Sequence, residues 1–345
     1  MLNGSNFKKS IVVLSAIAAS AMALNAMEIA KIKNTTVDLY GVAAISVVNY
    51  SDGDKGPVVE NESRVGFKAR KDLSNGKQIF MQIESGWADN GSNGKFGDRD
   101  TFIGLKGDFG TVRVGKMLTP IYQIIDWPYS NPGLGRVFDW GGAVKANYDR
   151  QSNMLRYDSN SSNGFAYSLA AGRNTGINTD TNKIKGASGD ATKDSFFFGG
   201  SATYAVNKQV TLLAGLESAE KFKGTNADTL ALLSGFDANF DGGFGLAGAY
   251  KMSESKDAGI KKSQNAFSVI GKYSTGKFQY KLGYASAGDS ETGSLKNTDA
   301  KDVISGQILY FLDDVAIYGR IAKFGSDKVG DNSNVITRLG VEYSF

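Results

Sequence analysis

The sequence predicts an all-β fold, a transmembrane antiparallel β-barrel of about 16 strands with a long loop folded into its lumen. Short segments in which apolar and polar residues alternate recur from Thr36 to Phe345. The connections between these segments take turns in length, short and then long. One long stretch that carries proline and tryptophan interrupts the pattern. No stretch of the chain after Thr36 is apolar for long enough to predict a membrane-spanning helix.

The first 26 residues predict a secretory signal peptide, which leaves residues 27–345 as one barrel domain. Lys8 and Lys9 precede an apolar and small-residue run from Ile11 to Leu24. This run is shorter than the roughly 20 residues that a spanning helix needs, and it fits the apolar region of an export signal. Cleavage is expected after Ala26, with Ala23 as the alternative. A buried N-terminal helix is the other interpretation of this segment.

The alternating segments predict strands with one charged face and one apolar face. Residues 64–70 place arginine, glycine and lysine on one side, and Val65, Phe67 and Ala69 on the other. Short connections such as residues 73–76 and 107–110 alternate with long polar ones such as residues 51–60, 174–193, 252–262 and 289–301. A soluble β-sandwich is the alternative. So many successive hairpins exceed what an open sheet supports, however, and a charged face fits a water-filled lumen.

The last residues predict the strand that closes the barrel. Leu339, Val341, Tyr343 and Phe345 alternate with polar or small residues up to the end of the sequence. We expect this strand to pair with the first one, around residues 37–50. Its outward aromatic rings are then expected at the membrane interface, where such rings are favoured.

The exceptional stretch lies between the strands predicted at residues 111–116 and 154–158. Pro120, Pro128 and Pro132 are three of the four prolines in the chain, and Trp127 and Trp140 are two of its three tryptophans. A loop this long is usually functional. Because its aromatic residues need a sheltered surface, we expect it to fold into the lumen and narrow the channel.

The charged residues near this loop are the candidate pore constriction. The loop contributes Asp126 and Asp139, and the neighbouring strands contribute Arg64, Arg99 and Arg150, with Arg113 and Arg156 close by. Opposed acidic and basic rows in a confined channel create a transverse field that orients polar solutes. The alternative is that each arginine is one more lumen charge solvated by channel water.

The composition argues against several other functions. The chain has no histidine and no cysteine, so no catalytic residue, metal site or cofactor is predicted, and an outer-membrane hydrolase cannot build a histidine-dependent site. A net charge of +4 from 39 basic and 35 acidic residues is too balanced for nucleic-acid binding. A structural adhesin would not need an inward loop.

Three motifs resemble the trimeric general porins of Gram-negative outer membranes: MEIAKIKNTTVDLYG, ESRVGFKARKDLSNGKQIFMQIESGW and RDTFIGLKGDFGTVRVGK. The terminal Phe345 matches the outer-membrane assembly signal of this family. The resemblance implies a homotrimer in the cell outer membrane, whose third extracellular loop enters the pore. The implied partners are outer-membrane lipid and lipopolysaccharide, the assembly machinery and small hydrophilic solutes.

The resemblance also places the constriction residues. Arg64, Arg99 and Arg150 match the family's cluster of strand arginines. PGLGRVFDWGG stands where enteric members have PEFGG, so Asp139 is the counterpart of the loop acid, with Asp126 second. Val42 stands where enteric members often place a lysine.

Two functions follow as expectations. The first is passive diffusion of small hydrophilic solutes and ions through a water-filled channel. The second is a channel selective for oligosaccharides, in which Trp127 and Trp140 stack on sugar rings. The alternative role of these two tryptophans, which the sequence favours, is to anchor the loop to the barrel wall.

Overall fold

The computed structural model describes residues 26–51, 56–86, 96–175, 191–325 and 335–345. The predicted signal peptide therefore lies outside the described residues, except for Ala26. Among the described residues, no helix is both long enough and apolar enough to cross a membrane.

In the part of the chain that the structure describes, sixteen long strands form a closed antiparallel barrel, which confirms the predicted barrel and its number of strands. Each strand pairs with the next in sequence, and the last strand pairs with the first from Val42 opposite Ser344 to Tyr50 opposite Ile336. Closure leaves no open sheet edge. The strands are β1 (Thr35–Tyr50), β2 (Arg64–Asp72), β3 (Gln78–Gly86), β4 (Thr101–Gly107), β5 (Gly110–Leu118), β6 (Arg150–Asp158), β7 (Phe165–Thr175), β8 (Ala191–Ala205), β9 (Val210–Ala219), β10 (Asp228–Asn239), β11 (Phe244–Asp257), β12 (Ile260–Thr275), β13 (Phe278–Ala287), β14 (Lys301–Leu312), β15 (Val315–Phe324) and β16 (Val335–Ser344).

Shorter elements extend this barrel. The strand Val58–Asn61 pairs with the second half of β1, and the strands Glu291–Thr292 and Leu295–Lys296 form a small hairpin beside β12. Two 3₁₀ turns, Phe222–Gly224 and Asp241–Gly243, lie in the connections before β10 and β11.

The strand Met27–Ile32 and the last residue, Phe345, both lie along one edge of β1. The strand Met27–Ile32 pairs with the start of β1, with Met27 opposite Leu39. Phe345 continues the pairing of β16, because it exchanges backbone hydrogen bonds of 2.9 and 3.0 Å with Gly41. The predicted closing strand is thereby confirmed to the last residue.

The two faces of the sheet differ in chemistry. Large apolar side chains are exposed on one face, which we call the apolar face; in β16, Leu339 is 72% exposed. Small, charged and hydroxyl side chains on the other face, the polar face, are mostly buried, as Lys281 and Ala285 are in β13. An exposed apolar band outside a closed barrel matches hydrocarbon rather than water.

One predicted connection is wrong. Residues 252–262 were expected to be a long polar loop, but β11 runs to Asp257 and β12 starts at Ile260. The turn between them is Ala258 and Gly259, both with positive φ, as a two-residue hairpin of type I′ requires. The strands are polar on both faces here, so their alternation gives no apolar signal.

Candidate functional site

The stretch from Thr119 to Asp149, called segment 119–149, contains two short helices, α1 (Pro120–Asp126) and α2 (Gly135–Phe138). Thr119 caps α1, since its hydroxyl accepts a hydrogen bond of 3.4 Å from the Tyr122 N–H. Pro120 occupies the first turn, where a missing N–H costs nothing. The sequence pattern does not predict these helices, because four to seven residues are too few for a helical period to appear.

Hydrogen bonds hold the two ends of segment 119–149 together. The Thr119 N–H donates to the Asp149 carbonyl at 2.9 Å. The neighbouring Tyr148 N–H donates to Oε1 of Glu217, a fully buried carboxyl group on β9, at 2.6 Å. The segment therefore leaves the barrel wall at the end of β5 and re-enters it at the start of the paired strand β6, and Glu217 of β9 holds it there.

One side of the segment packs on a set of small and apolar residues, which we call the apolar wall patch. Ile121, Ile124, Ile125, Leu134 and Phe138 of the segment are buried there. Each such side chain stabilises the contact by about 1.5–3 kcal/mol. The apolar wall patch comprises Leu213, Ala231, Leu233, Ala247, Ala249, Ala266, Ile270, Ala285, Ala287, Val303 and Ala322, from β9 to β15.

Glycines in the same strands let the segment approach closely. A Cβ on Gly283 would lie 2.8 Å from Cδ1 of Leu134, and a Cβ on Gly215 would lie 2.9 Å from Cδ1 of Ile124. Both distances are shorter than real carbon contacts allow. The missing side chains therefore create the space that Leu134 and Ile124 occupy.

Polar side chains of the wall hold the segment backbone and its rings. Ser268 donates to the Tyr129 carbonyl at 2.7 Å, and the ammonium of Lys251 donates to the Asp139 carbonyl at 2.9 Å. The Lys281 ammonium lies 4.6 Å from the centre of the Trp127 ring. Segment 119–149 is thus bound to the polar face of the barrel by both apolar and polar contacts.

The other side of the segment borders a cavity of about 550 Å³, which we call the main cavity. Six of the residues predicted for the site line it: Arg64, Arg99, Asp126, Trp127, Asp139 and Trp140. Strands β1, β2, β15 and β16 supply much of the opposite wall. The structure therefore brings together predicted residues that are up to 76 positions apart, from Arg64 to Trp140.

Arg150 and Arg99 differ from the predicted arrangement. Arg150 is outside the lining of the main cavity, and its Nε donates to the Asp100 carboxylate. Arg99 lies just before β4 rather than within a strand, yet its N–H donates to the Glu84 carbonyl at 3.0 Å. Its side chain also pairs with the Glu84 carboxylate at 2.5 Å.

Five charged residues of the main cavity were missed by the sequence analysis: Arg136, Arg320, Arg338, Glu62 and Glu342. The alternation in β16 held a signal, because it already placed Arg338 and Glu342 on the face opposite Leu339. Arg320 and Arg338 are directly opposed across β15 and β16. Such like charges repel. Arg338 is compensated by Glu60 at 2.5 Å, and Arg320 donates to Gln307 at 2.7 Å.

The charges are distributed unequally across the main cavity. The barrel wall contributes four arginines and two glutamates, a net charge of +2. Segment 119–149 contributes Asp126, Asp139 and Arg136, a net charge of −1. The described lining thus carries a net charge of +1 and a field directed across the cavity.

The two loop acids have different surroundings. Asp126 is exposed, whereas Asp139 is buried and accepts a hydrogen bond of 3.1 Å from the Tyr122 hydroxyl. Burial raises the pKa of Asp139 to about 6, although the nearby Lys251 ammonium opposes the rise. The charge of Asp139 therefore changes near pH 6. Desolvation also raises the pKa of Asp126, although nearby arginines oppose that rise.

The two loop tryptophans also differ. Trp140 is 56% exposed at the main cavity, with the Arg136 guanidinium 6.0 Å from its ring centre. Trp127 is partly buried under the Lys281 ammonium. Trp127 therefore contacts the barrel wall, as an anchoring residue would, whereas the ring of Trp140 is accessible from the main cavity.

Arg113 and Arg156 lie away from the main cavity, beneath α1. Arg156 is almost fully buried and donates to the Leu118 carbonyl at 2.9 Å and to Oε1 of Gln123 at 2.6 Å. Arg113 pairs with Asp158 at 2.5 Å. Arg156 therefore holds α1 to the barrel wall, and Arg113 shares the Asp158 carboxylate with it.

Comparison with known proteins gives consistent matches. A protein-family model described as Gram-negative porin matches residues 10–343. The chitoporin of Vibrio furnissii is 41% identical over 375 aligned positions, covering 98% of this chain and 99% of the chitoporin. The anion-selective porin from Comamonas acidovorans has a TM-score of 0.68 at 20% identity, covering 90% of this chain and 100% of that one. The trimer form of in-vitro folded OmpT, an outer membrane protein of Vibrio cholerae, has a TM-score of 0.69 at 15% identity, covering 91% and 100%.

Proposed function

We propose, from the premise that this chain belongs to the Gram-negative porin family, that segment 119–149 lies in the barrel lumen and narrows the channel. The protein is an outer-membrane pore through which small hydrophilic solutes and ions diffuse passively. Support for the inward position comes from the buried contacts of the segment, most of which reach the polar face of β9 to β15, with a further one to Arg156 of β6.

The observation that carries the proposal is the main cavity with its opposed charges. Its wall has a net charge of +2 and the segment a net charge of −1, so a solute that passes between them crosses a transverse field. Polar molecules orient in such a field, whereas bulky apolar molecules displace water from the charged side chains without replacing its hydrogen bonds. The constriction residues are therefore Arg64, Arg99, Asp126 and Asp139, joined by Arg136, Arg320, Arg338, Glu62 and Glu342. Arg150 lies outside this lining and pairs with Asp100.

A disulfide test examines the position of the segment directly, because the chain has no cysteine of its own. The double variant Leu134→Cys/Gly283→Cys places two thiols where the side chain of Leu134 meets β13. We expect oxidation to form an intrachain disulfide, measured as protection from maleimide labelling. The matched control is Leu134→Cys/Leu282→Cys, since Leu282 is 62% exposed on the apolar face.

The proposal fails on this point if the control pair forms the disulfide and the first pair does not. Single-channel recording of the unmodified protein in planar bilayers tests the pore itself. We expect stepwise conductance, and a folded protein that never conducts would contradict the channel function.

We infer that the assembly is a homotrimer that contacts outer-membrane lipid and lipopolysaccharide, with Phe345 read by the assembly machinery. The trimer form of the Vibrio cholerae neighbour supports this state. In this chain, the Phe345 ring covers Gly41, where a Cβ would lie 2.4 Å from the ring. Channel function without an enzymatic reaction is supported by the family and by the channel relatives.

A second candidate function is selectivity for oligosaccharides. The observation that favours it is the exposed Trp140 ring beside Arg136 in the main cavity, together with 41% identity to a chitoporin. An aromatic face can stack on a sugar ring, and neighbouring charged groups can hydrogen-bond its hydroxyls.

Chitin oligosaccharides added to planar bilayers separate the two functions. A selective channel gives concentration-dependent current blockades that Trp140→Ala abolishes and Trp127→Ala reduces less, since Trp127 is the more covered ring. General diffusion gives a current that the sugars leave undisturbed. Malto-oligosaccharides serve as the control for sugar type.

A further inference from the structure

A second cavity lies on the far side of α1 from the main cavity. Its volume is about 180 Å³, and it is enclosed between α1 and the polar face of β5 to β8. Ser159 and Ala166 of its lining border the short connection between β6 and β7. Short connections of outer-membrane barrels face the periplasm, so this cavity opens toward the periplasmic end.

The charge of this second cavity is positive. Arg113, Arg156 and Asp158 line it, so two guanidinium groups face one carboxylate and the net charge is +1. Arg113 and Arg156 are cross-strand neighbours on β5 and β6. Asp158 bridges them, with distances of 2.5 Å to Arg113 and 2.8 Å to Arg156. One carboxylate therefore serves two arginines, and one positive charge stays uncompensated in the cavity.

The lining of this cavity also includes hydrogen-bond donors without an acceptor among the described residues. Nε of Arg113 is buried and has no hydrogen-bond partner among the described residues. A buried donor without an acceptor costs about 1–3 kcal/mol, so the Arg113 guanidinium is not fully satisfied by its protein neighbours in the described residues. Ser201 and Thr203 of β8 line the same space, and neither hydroxyl bonds to a described residue. The side-chain amide oxygen of Gln123, Oε1, already accepts a hydrogen bond from Arg156. The N–H groups of the same side-chain amide are therefore further donors.

We propose that the second cavity binds a small oxyanion, with inorganic phosphate and sulfate as its simplest representatives. An uncompensated guanidinium charge and several convergent donors are the groups that recognise tetrahedral oxyanions. The volume accommodates one such ion with its nearest water molecules. The bound oxyanion bridges Gln123 of α1 to Arg113 and to the hydroxyl groups of β8, and thereby ties segment 119–149 to the wall from the periplasmic side.

The test is isothermal titration calorimetry of the folded protein in detergent, with sodium phosphate and sodium sulfate as separate titrants. We expect one saturable binding event per chain for both salts. The variant Ser201→Ala/Thr203→Val removes two donors without touching an ion pair, and it should weaken binding by about tenfold or more. Thr211→Val is the matched control, since Thr211 lies on β9 near the same end of the barrel and outside the cavity.

Unchanged single-channel conductance establishes that the double variant has folded. Crystals soaked in selenate give a second readout, an anomalous peak between Arg113 and Thr203. Titrations without saturation, equal affinity in the double variant and the Thr211→Val control, or a cavity without an anomalous peak would each overturn the proposal. The site includes Gln123 of α1 and so rests on the position of segment 119–149, which the Leu134→Cys/Gly283→Cys disulfide tests separately. The outcomes do not depend on the solute that the channel carries.

Discussion

The two sides of segment 119–149 meet opposite kinds of surface within one barrel. Toward β9 to β15 it contacts the apolar wall patch, where alanines and glycines leave room for Leu134, Ile124 and Phe138. Toward β1, β2, β15 and β16 it faces arginines and glutamates across an open cavity. At the apolar wall patch, the segment supplies the large buried side chains. At the main cavity, the barrel wall supplies long charged side chains.

This difference shows how a closed barrel positions a loop without a separate domain. Small residues on one arc of the polar face allow close packing, which gains apolar burial at each buried side chain. Arginines on the other arc keep their hydration and their carboxylate partners, which prevents the segment from crossing to that side. Residue size selects the arc that the segment covers, and charge keeps the other arc open.

The largest expected effect comes from removing positive charge from the part of the barrel wall that lines the main cavity. The triple variant Arg64→Ser/Arg320→Ser/Arg338→Ser changes the net charge of the main cavity from +1 to −2. We expect the preference between ions to shift several-fold toward cations, because the cavity then attracts positive ions. The measurement is the reversal potential in a KCl gradient.

Arg70→Ser is the matched control for this change. Arg70 lies on the same face of β2 but outside the main cavity, paired with Asp38. A reversal potential that moves as far in the control as in the triple variant would show that the main cavity does not set selectivity.

A smaller effect is expected from adding a side chain to the part of the wall on which the segment packs. Gly283→Leu introduces a side chain where Leu134 packs, and overpacking of this kind typically costs about 1–3 kcal/mol. We expect the segment to move toward the main cavity, so single-channel conductance falls and the thermal stability of the folded protein decreases. Gly271→Leu is the control, because a Cβ there has no atom closer than 4.0 Å. Equal conductance in both variants would show that the segment does not border the path along which ions move.

The smallest expected effect is pH-dependent. The pKa of Asp139 is raised by burial to about 6, so its carboxyl group becomes neutral below that pH rather than below its ordinary value near 4. Lowering the pH from about 7 to about 5 therefore removes one negative charge from the segment, and anion preference increases. Reversal potentials across this pH range measure the change.

Two variants identify the group responsible for this pH step. Asp139→Asn removes the step, because the variant has no carboxyl group to titrate at this position. Asp126→Asn shifts the selectivity at neutral pH and keeps the step, but moves it to lower pH, because the Asp126 carboxylate no longer raises the pKa of Asp139. A step that persists in Asp139→Asn would assign the pH dependence to another group.

Much of the fold could be predicted because alternation is a local property. The closing strand, the pairing of β16 with β1 and the charged face of β2 all follow from period-two patterns in adjacent residues. A long loop was wrongly predicted for residues 252–262, because the two strands there are polar on both faces and show no alternation. The helices α1 and α2 were missed because their few residues cannot display a helical period.

The candidate site was predicted only in part, for a different reason. Arg64, Arg99, Asp126 and Asp139 were recognised from their closeness to the unusual loop and from resemblance to a family. Arg320 and Arg338 are distant from that loop in sequence, and only closure of the barrel brings β15 and β16 beside β1. Arg150 was predicted as a lining residue, but its position on β6 directs it to Asp100.

The sequence by itself determined the strands, their two faces, the charged character of the interior and the exceptional nature of segment 119–149. The tertiary structure alone decided which arc of the wall the segment covers, which charges share the main cavity, and that Arg113 and Arg156 enclose a second one. The physical reason is that alternation acts between neighbours in the chain. Cavities, burial and charge compensation arise from residues that meet only after the sheet has closed.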